Sequence, residues 1–118
     1  MKEYKLWFEK AQRDFDSAKN SLNSDDYEWC CFQAQQAVEK GLKAMHIKKN
    51  KELLKSHDLV LLAKRLNAPR EIVINCSQIT PSYIDTRYPD LAKDYSEEDA
   101  KKILKLAKEV LIWIEKNL

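Results

Sequence analysis

The segment 81–90 contains the residue types that a ligand-binding loop needs. Tyr83, Arg87 and Tyr88 lie close together there. A guanidinium binds a phosphate through two parallel hydrogen bonds, while an aromatic ring beside it stacks on a base. The alternative is that both tyrosines pack the loop onto the domain and that Arg87 pairs with a nearby aspartate. Because aromatic residues in loops commonly serve packing, the spacing alone favours this alternative.

A second candidate is His57, which follows Lys55 and Ser56 where a helix is predicted to begin. A helix N-terminus with a histidine and a lysine beside it can hold an anion. The alternative is that this stretch caps its own helix and that His57 contacts Asp58 at the surface. His46, near the end of the preceding predicted helix, is expected on the surface.

Gln36 and Lys40 lie one helical turn apart, beside Trp29 and Phe32. They line a polar pocket, or they form the outer face of a helix that meets a second subunit. We expect an interface, because two large aromatic side chains opposite the core-facing stripe need to be covered. Trp113 of the last helix is expected to add to that interface. Whether the dimer uses this aromatic face or a stripe of small residues stays open.

Several catalytic arrangements are missing from the sequence. A single glycine excludes a glycine-rich phosphate loop. The two histidines are not at the spacing of a metal-binding pair, and no cysteine–histidine arrangement is suggested locally. The carboxylates are scattered, so no acid–base pair stands out. We therefore predict no catalytic residue, no metal and no cofactor.

The composition predicts one helical domain spanning residues 1–118. Glycine occurs once and proline three times, which favours long helices over sheets. The net charge of +2 gives little reason to expect nucleic-acid binding. Three cysteines, two of them adjacent, indicate reduced and buried thiols. No signal peptide or membrane span is recognisable, so we expect a cytoplasmic protein that does not bind membranes.

Apolar periodicity predicts an all-α, antiparallel up-and-down bundle of four main helices plus a short fifth. Asp25 with Glu28 resembles a capping box for the second helix, Ser56 is a plausible N-cap for the third, and Ser96 with Asp99 can cap the last. The predicted helices cover about 3–22, 25–48, 56–66, 72–79 and 96–118, with a long loop over 83–95.

The second predicted helix has apolar residues on every side, so we expect it at the centre of the domain. A stripe of large residues faces the core, and a stripe of small residues lets a neighbouring helix approach closely. The far side is expected to face outward. The large stripe is Tyr27, Cys31, Val38, Leu42 and Met45; the small one is Cys30, Ala34, Ala37, Gly41 and Ala44; the far side is Trp29, Phe32, Gln36, Glu39, Lys40 and Lys43.

In this order the residues resemble the HEPN domain family of prokaryotes and higher eukaryotes. The resemblance covers about residues 6–114. It is carried by Ala11 and Asp14 in an aromatic first helix, the block Gln35-Gln36-Ala37-Val38-Glu39-Lys40, the triplet His57-Asp58-Leu59, the block Arg87-Tyr88-Pro89-Asp90, and an apolar last helix. The two longer blocks are specific only when they occur together.

The resemblance implies a helical bundle that commonly dimerises and has a proposed nucleotide-binding role. Minimal members are often encoded beside small nucleotidyltransferases, with which they form two-component or toxin–antitoxin pairs. Many relatives are metal-independent ribonucleases with an arginine followed, after four to six residues, by a histidine. Neither His46 nor His57 has an arginine at that spacing, and no histidine follows Arg87. The general acid–base pair of such a nuclease is therefore absent.

These features lead to three hypotheses. The leading one is a non-catalytic module that forms a homodimer and binds a nucleotide, a nucleotidyltransferase partner or both, with ligand residues Arg87, Tyr83, Tyr88, Lys40, Gln36 and His57. The second is a ribonuclease toxin with a non-standard site around Arg87, Tyr88 and His57. The third is a purely structural subunit that completes another protein's active site.

Overall fold

A computed structural model describes residues 3–80 and 94–118 of the chain. Within these two ranges it is all-helical, as predicted. We label the helices in chain order: α1 Glu3–Asn23, α2 Tyr27–Asn50, α3 Leu59–Arg65, α4 Arg70–Ile79 and α5 Glu97–Asn117. None of these helices is long and apolar enough to cross a membrane. The predicted loop over 83–95 falls mostly outside the described residues.

The third helix is shorter than the sequence pattern indicates. It has 7 residues, fewer than the 10 of α4, so three long helices are accompanied by two short ones. The prediction that Ser56 caps α3 is wrong. Asp58 is the N-cap, and its carboxylate accepts hydrogen bonds from the backbone N–H groups of Val60 and Leu61 at 3.0 and 3.2 Å. Ser56 instead accepts one from the Asp58 backbone.

The two predicted capping boxes have different outcomes. The one at α5 is confirmed: Ser96 Oγ accepts from the Asp99 backbone N–H, and the Asp99 carboxylate accepts from the Ser96 backbone N–H, each at 3.0 Å. The one at α2 is wrong. Asp26 is the N-cap there and makes no side-chain capping bond. Asp25 adopts a positive φ of 60°, so it belongs to the turn that precedes the helix.

Helices α1 and α2 pack side by side and run antiparallel. Asp14 pairs with Lys40 near the middle, whereas Tyr4 at the start of α1 lies against Lys48 at the end of α2. The Lys48 ammonium is 4.9 Å from the centre of the Tyr4 ring. The ion pair and the lysine–tyrosine contact therefore fix the same register between the two helices.

Helices α2 and α5 run parallel, and the stripe of small residues on α2 is where α5 approaches. A Cβ atom added at Gly41 would lie 2.9 Å from Ile114 Cδ1 and 3.1 Å from Leu111 Cδ2. Further along, Lys48 donates a hydrogen bond to the backbone carbonyl of Leu118. The expectation that small residues admit a close neighbour is confirmed here.

The core surrounds α2, which is buried over the whole stretch 41–47. Phe8, Phe15 and Leu22 of α1 pack against the same core. The buried residues of α5 include Ala100, Ile103, Leu104, Ala107, Leu111 and Ile114. All three cysteines are buried free thiols, as predicted. Burial raises the thiol pKa from 9.0 to about 11 for Cys30 and to about 12 for Cys76, with a smaller contribution from a nearby aspartate in each case.

Candidate functional site

A buried carboxylate on α2 organises the most extensive polar cluster in the described part of the chain. Glu39 is 5% exposed. Its Oε2 atom accepts a hydrogen bond from Lys43 Nζ at 2.9 Å and lies 3.0 Å from His57 Nδ1. Because an ionised carboxylate can only accept hydrogen bonds, Nδ1 of the imidazole must carry the hydrogen atom in this contact. The arrangement fixes the orientation of the His57 ring.

Two glutamines extend this cluster along α2. Gln35 Nε2 donates to Glu39 Oε1 at 3.3 Å, and Gln36 Nε2 donates to Gln35 Oε1 at 2.7 Å. A chain of hydrogen bonds therefore connects Gln36 to His57. We call Gln35, Gln36, Glu39, Lys43 and His57 the Glu39 network. It brings together two of the predicted ligand residues, Gln36 and His57.

The burial of this network corrects the predicted outer face of α2. The sequence pattern places Glu39 and Lys43 on that face, yet they are 5% and 6% exposed. This face is in contact with the segment that follows α2, since His57 reaches a carboxylate 18 residues earlier in the chain. His57 contacts Glu39, and Asp58 caps α3.

His46 is also buried, at 1% exposure, so its predicted surface position is wrong. Its Nε2 atom lies 2.9 Å from the backbone carbonyl oxygen of Leu62, and its Nδ1 atom lies 3.3 Å from the Asn50 amide. The imidazole therefore joins α2 to α3. Sequence reasoning missed this role because nothing near His46 in the chain indicates which helix will pack over it.

Lys40 does not join the Glu39 network. It is partly buried and pairs with Asp14 of α1, whose other carboxylate oxygen lies 3.8 Å from Lys10 Nζ. Lys40 and Lys10 also line an open depression of about 210 Å³ whose apolar walls are Leu6 and Trp7. The sequence pattern did not lead us to Leu6, Trp7 or Lys10. Trp7 and Lys10 are three residues apart, and this spacing indicates that they share one face of the first helix.

The predicted interface residues lie on different parts of the domain. Trp29 is 54% exposed and makes an edge-to-face contact with Phe32, with ring centres 5.4 Å apart. Trp113, on α5, is partly buried and packs against the core. The predicted ligand residues Tyr83, Arg87 and Tyr88 lie outside the described residues.

A bundle of this kind, with its longest helix in the centre and a polar network on that helix, defines a small all-helical domain. A sequence model of the HEPN domain matches residues 4–117. The chain therefore belongs to the HEPN domain family, and the resemblance read from the sequence is confirmed.

Solved structures give the same result. The crystal structure of TT1696 from Thermus thermophilus is similar at 30% sequence identity and a TM-score of 0.92, with 100% of both chains covered. The structure of ST0689, an archaeal HEPN homologue, is similar at 28% identity and a TM-score of 0.85, covering 99% of this chain and 98% of the other. None of the curated proteins compared with the chain matches it.

Proposed function

We propose that the chain is a non-catalytic HEPN module that binds a nucleotide, a small nucleotidyltransferase partner or both, and that it acts as a homodimer. The observation that carries this proposal is the Glu39 network. It holds the Gln36 amide and the His57 imidazole, which is 56% exposed, at the two ends of one hydrogen-bonded chain. Amide and imidazole groups fixed in this way are suited to hydrogen-bond a base or a phosphate.

Charge neutralisation supports the division of roles that we propose. Lys43 is paired with Glu39, and Lys40 with Asp14, so neither ammonium carries an uncompensated charge. We therefore assign the positive charge for a phosphate to Arg87, with Tyr83 and Tyr88 as stacking residues. Lys40 and Gln36 are the further ligand residues of the proposal.

The contacts and spacing of the two histidines support the non-catalytic part of the proposal. His46 is enclosed between α2 and α3, where it holds a backbone carbonyl, and it is 1% exposed. An imidazole in that position cannot reach an RNA substrate. His57 lacks an arginine at the spacing of the family's ribonucleases. A nuclease built on either histidine would therefore need a different set of residues.

Titration calorimetry with ATP, GTP, AMP and GMP tests the nucleotide part of the proposal. We expect one of them to bind, and Arg87→Ala to weaken binding at least about tenfold, since a charged hydrogen bond contributes roughly 1.5–3 kcal/mol. Arg65→Ala, at an exposed position on α3, is the matched control and should leave affinity unchanged. Failure of all four nucleotides to bind would remove the nucleotide from the proposal.

The partner part has its own test. Co-expression with a nucleotidyltransferase encoded beside this chain, followed by size-exclusion chromatography, should give one complex that contains both proteins. Separate elution at micromolar concentration would contradict this part and leave the nucleotide result unaffected.

One observation favours a second candidate function, a metal-independent ribonuclease with a non-standard site around Arg87, Tyr88 and His57. A buried carboxylate that orients an imidazole through Nδ1 is the arrangement that general bases use. Incubation of the purified protein with structured RNA in the presence of EDTA distinguishes the two functions. Cleavage that is lost in His57→Ala and Arg87→Ala, but retained in Arg65→Ala, would replace the non-catalytic proposal.

A further inference from the structure

The outer face shared by α1 and α2 exposes an unusual amount of apolar surface. Leu6 is 65% exposed and Trp29 is 54% exposed, the two largest values among the exposed large apolar residues of the described chain. Trp7 and Phe32 are partly buried beside them. Two of the three tryptophans therefore lie on this one face. We call it the α1–α2 outer face.

The apolar residues form two patches, one at each end of the face, with the Asp14–Lys40 pair between them. Trp7 precedes Asp14 by seven residues and Phe32 precedes Lys40 by eight. At 1.5 Å per residue, these patches lie about 10 and 12 Å from the pair, in opposite directions because the helices are antiparallel. The face is therefore nearly symmetric about the ion pair.

In the part of the face between the patches, the Asp14 carboxylate lies against the ammonium groups of Lys40 and Lys10. Asp14 and Lys40 neutralise each other, and Ser21 Oγ lies 2.7 Å from the Gln33 side-chain amide. Aromatic residues at the ends and neutral or paired groups between them are typical of the buried centre of a protein interface, which is depleted in charge.

This symmetry points to a particular occupant. We propose that the α1–α2 outer face binds a second copy of this chain, with the Leu6–Trp7 patch of one copy on the Trp29–Phe32 patch of the other, and the reverse. The inference rests on the homodimer of the proposed function and assigns its surface. The depression lined by Leu6, Trp7, Lys10 and Lys40 receives the partner's Trp29.

The geometry of such a pairing agrees with ordinary helix packing. The two patches are about 10 Å apart across the helix pair and about 25 Å apart along it. A twofold axis places the Leu6–Trp7 patch of each copy on the Trp29–Phe32 patch of the other. The helices of the two copies then cross at about 40°, within the range of the commonest helix-packing class. Because only the two patches make contact, we expect an interface at the small end of the range for specific complexes, which begins at about 1,000 Å². We expect a dimer that dissociates in the micromolar range.

Two single variants and their mixture test the pairing. Leu6→Lys and Trp29→Glu should each weaken the dimer at least about tenfold, as measured by sedimentation equilibrium, because each places an unpaired charge in both patch contacts. Both positions are more than half exposed, so the fold should survive, and circular dichroism checks it. In an equimolar mixture, the introduced lysine faces the introduced glutamate in one contact, and the other contact is wild type. The mixture should recover most of the lost dimer.

Ile74→Lys and Ile112→Lys are matched controls, since these residues are 44% and 42% exposed on α4 and α5. Neither should change dissociation. A wild-type monomer at all concentrations would overturn both this inference and the homodimer of the proposed function. If the wild type is a dimer, any of three results would overturn the assigned pairing while the homodimer stands. The first is that Leu6→Lys and Trp29→Glu leave the dimer intact, and the second is that only the control variants weaken it. The third is that mixing the two variants does not restore the dimer.

Discussion

Glu39 and Lys43 form an ion pair at 2.9 Å in which both side chains are less than a tenth exposed. Burial of a single charge is costly unless its partner is present, and removing one member of a buried pair destabilises proteins more than replacing both. The pair lies one turn apart on α2, beside His57. It is therefore both a structural feature of the central helix and the support of the candidate site.

Glu39→Leu should lower the free energy of unfolding by about 3 kcal/mol, because it leaves the Lys43 ammonium buried without a carboxylate. The double variant Glu39→Leu/Lys43→Met should recover most of that loss. Urea denaturation measures both. The exposed pair of Glu97 and Lys101 is the control: Glu97→Gln should change stability by less than about 1 kcal/mol. Equal losses in the single and double variants would contradict the role of the pair.

Gly41 tests how closely α5 approaches α2. Alanine gains about 1 kcal/mol of helix propensity, but its Cβ must displace the terminal methyl groups of Ile114 and Leu111. We expect Gly41→Ala to change the free energy of unfolding by less than about 1 kcal/mol, since the two effects oppose each other. Gly41→Val adds two more methyl groups and should destabilise by about 2–3 kcal/mol. A valine variant as stable as wild type would show that the helices are further apart.

Asp58→Ala should destabilise the protein by about 1 kcal/mol, because it removes the acceptor for two backbone N–H groups at the start of α3. Ser56→Ala removes a single hydrogen bond from the preceding segment and should cost less. Thermal unfolding of the two variants ranks them. A larger loss at Ser56 would mean that the helix begins earlier than Leu59.

The buried thiols predict an alkaline limit to stability. Burial raises the pKa of the Cys30 and Cys76 thiols from 9.0 to about 11 and about 12, so the folded state keeps protons that the unfolded state loses near pH 9. Stability from this source is full below about pH 9 and declines as the pH rises toward 12. Urea denaturation between pH 8 and 10.5 should show the decline, and Cys76→Ala should reduce its slope. An unchanged slope would contradict it.

Local patterns predicted part of this structure correctly. Ser96 and Asp99 are three residues apart and make the α5 cap wherever the helix packs, and the small-residue stripe containing Gly41 follows from helical periodicity alone. Both features depend only on neighbours in the chain. This is why they, and the all-helical class, were readable from the sequence.

Long-range contacts set the limit of prediction. The periodicity of α2 places Glu39 and Lys43 on its polar side, and it cannot indicate that His57, 18 residues after Glu39, will contact that side. The same applies to His46, which is buried and lies within hydrogen-bonding distance of the Leu62 backbone carbonyl. Ser56 and Asp58 are both good caps, and the choice between them depends on where Leu59 and Leu62 dock into the core. Candidate site residues were therefore found, but their partners were not.

The continuous burial of residues 41–47 in α2 has a consequence for hydrogen exchange. Peripheral helices such as α3 can detach locally and expose their own amides, whereas the amides of this stretch stay covered by α1 and α5 until the whole domain opens. Their exchange with deuterium should therefore be the slowest in the chain. Its rate gives the free energy of global unfolding directly, and every destabilising substitution described above should accelerate it in proportion.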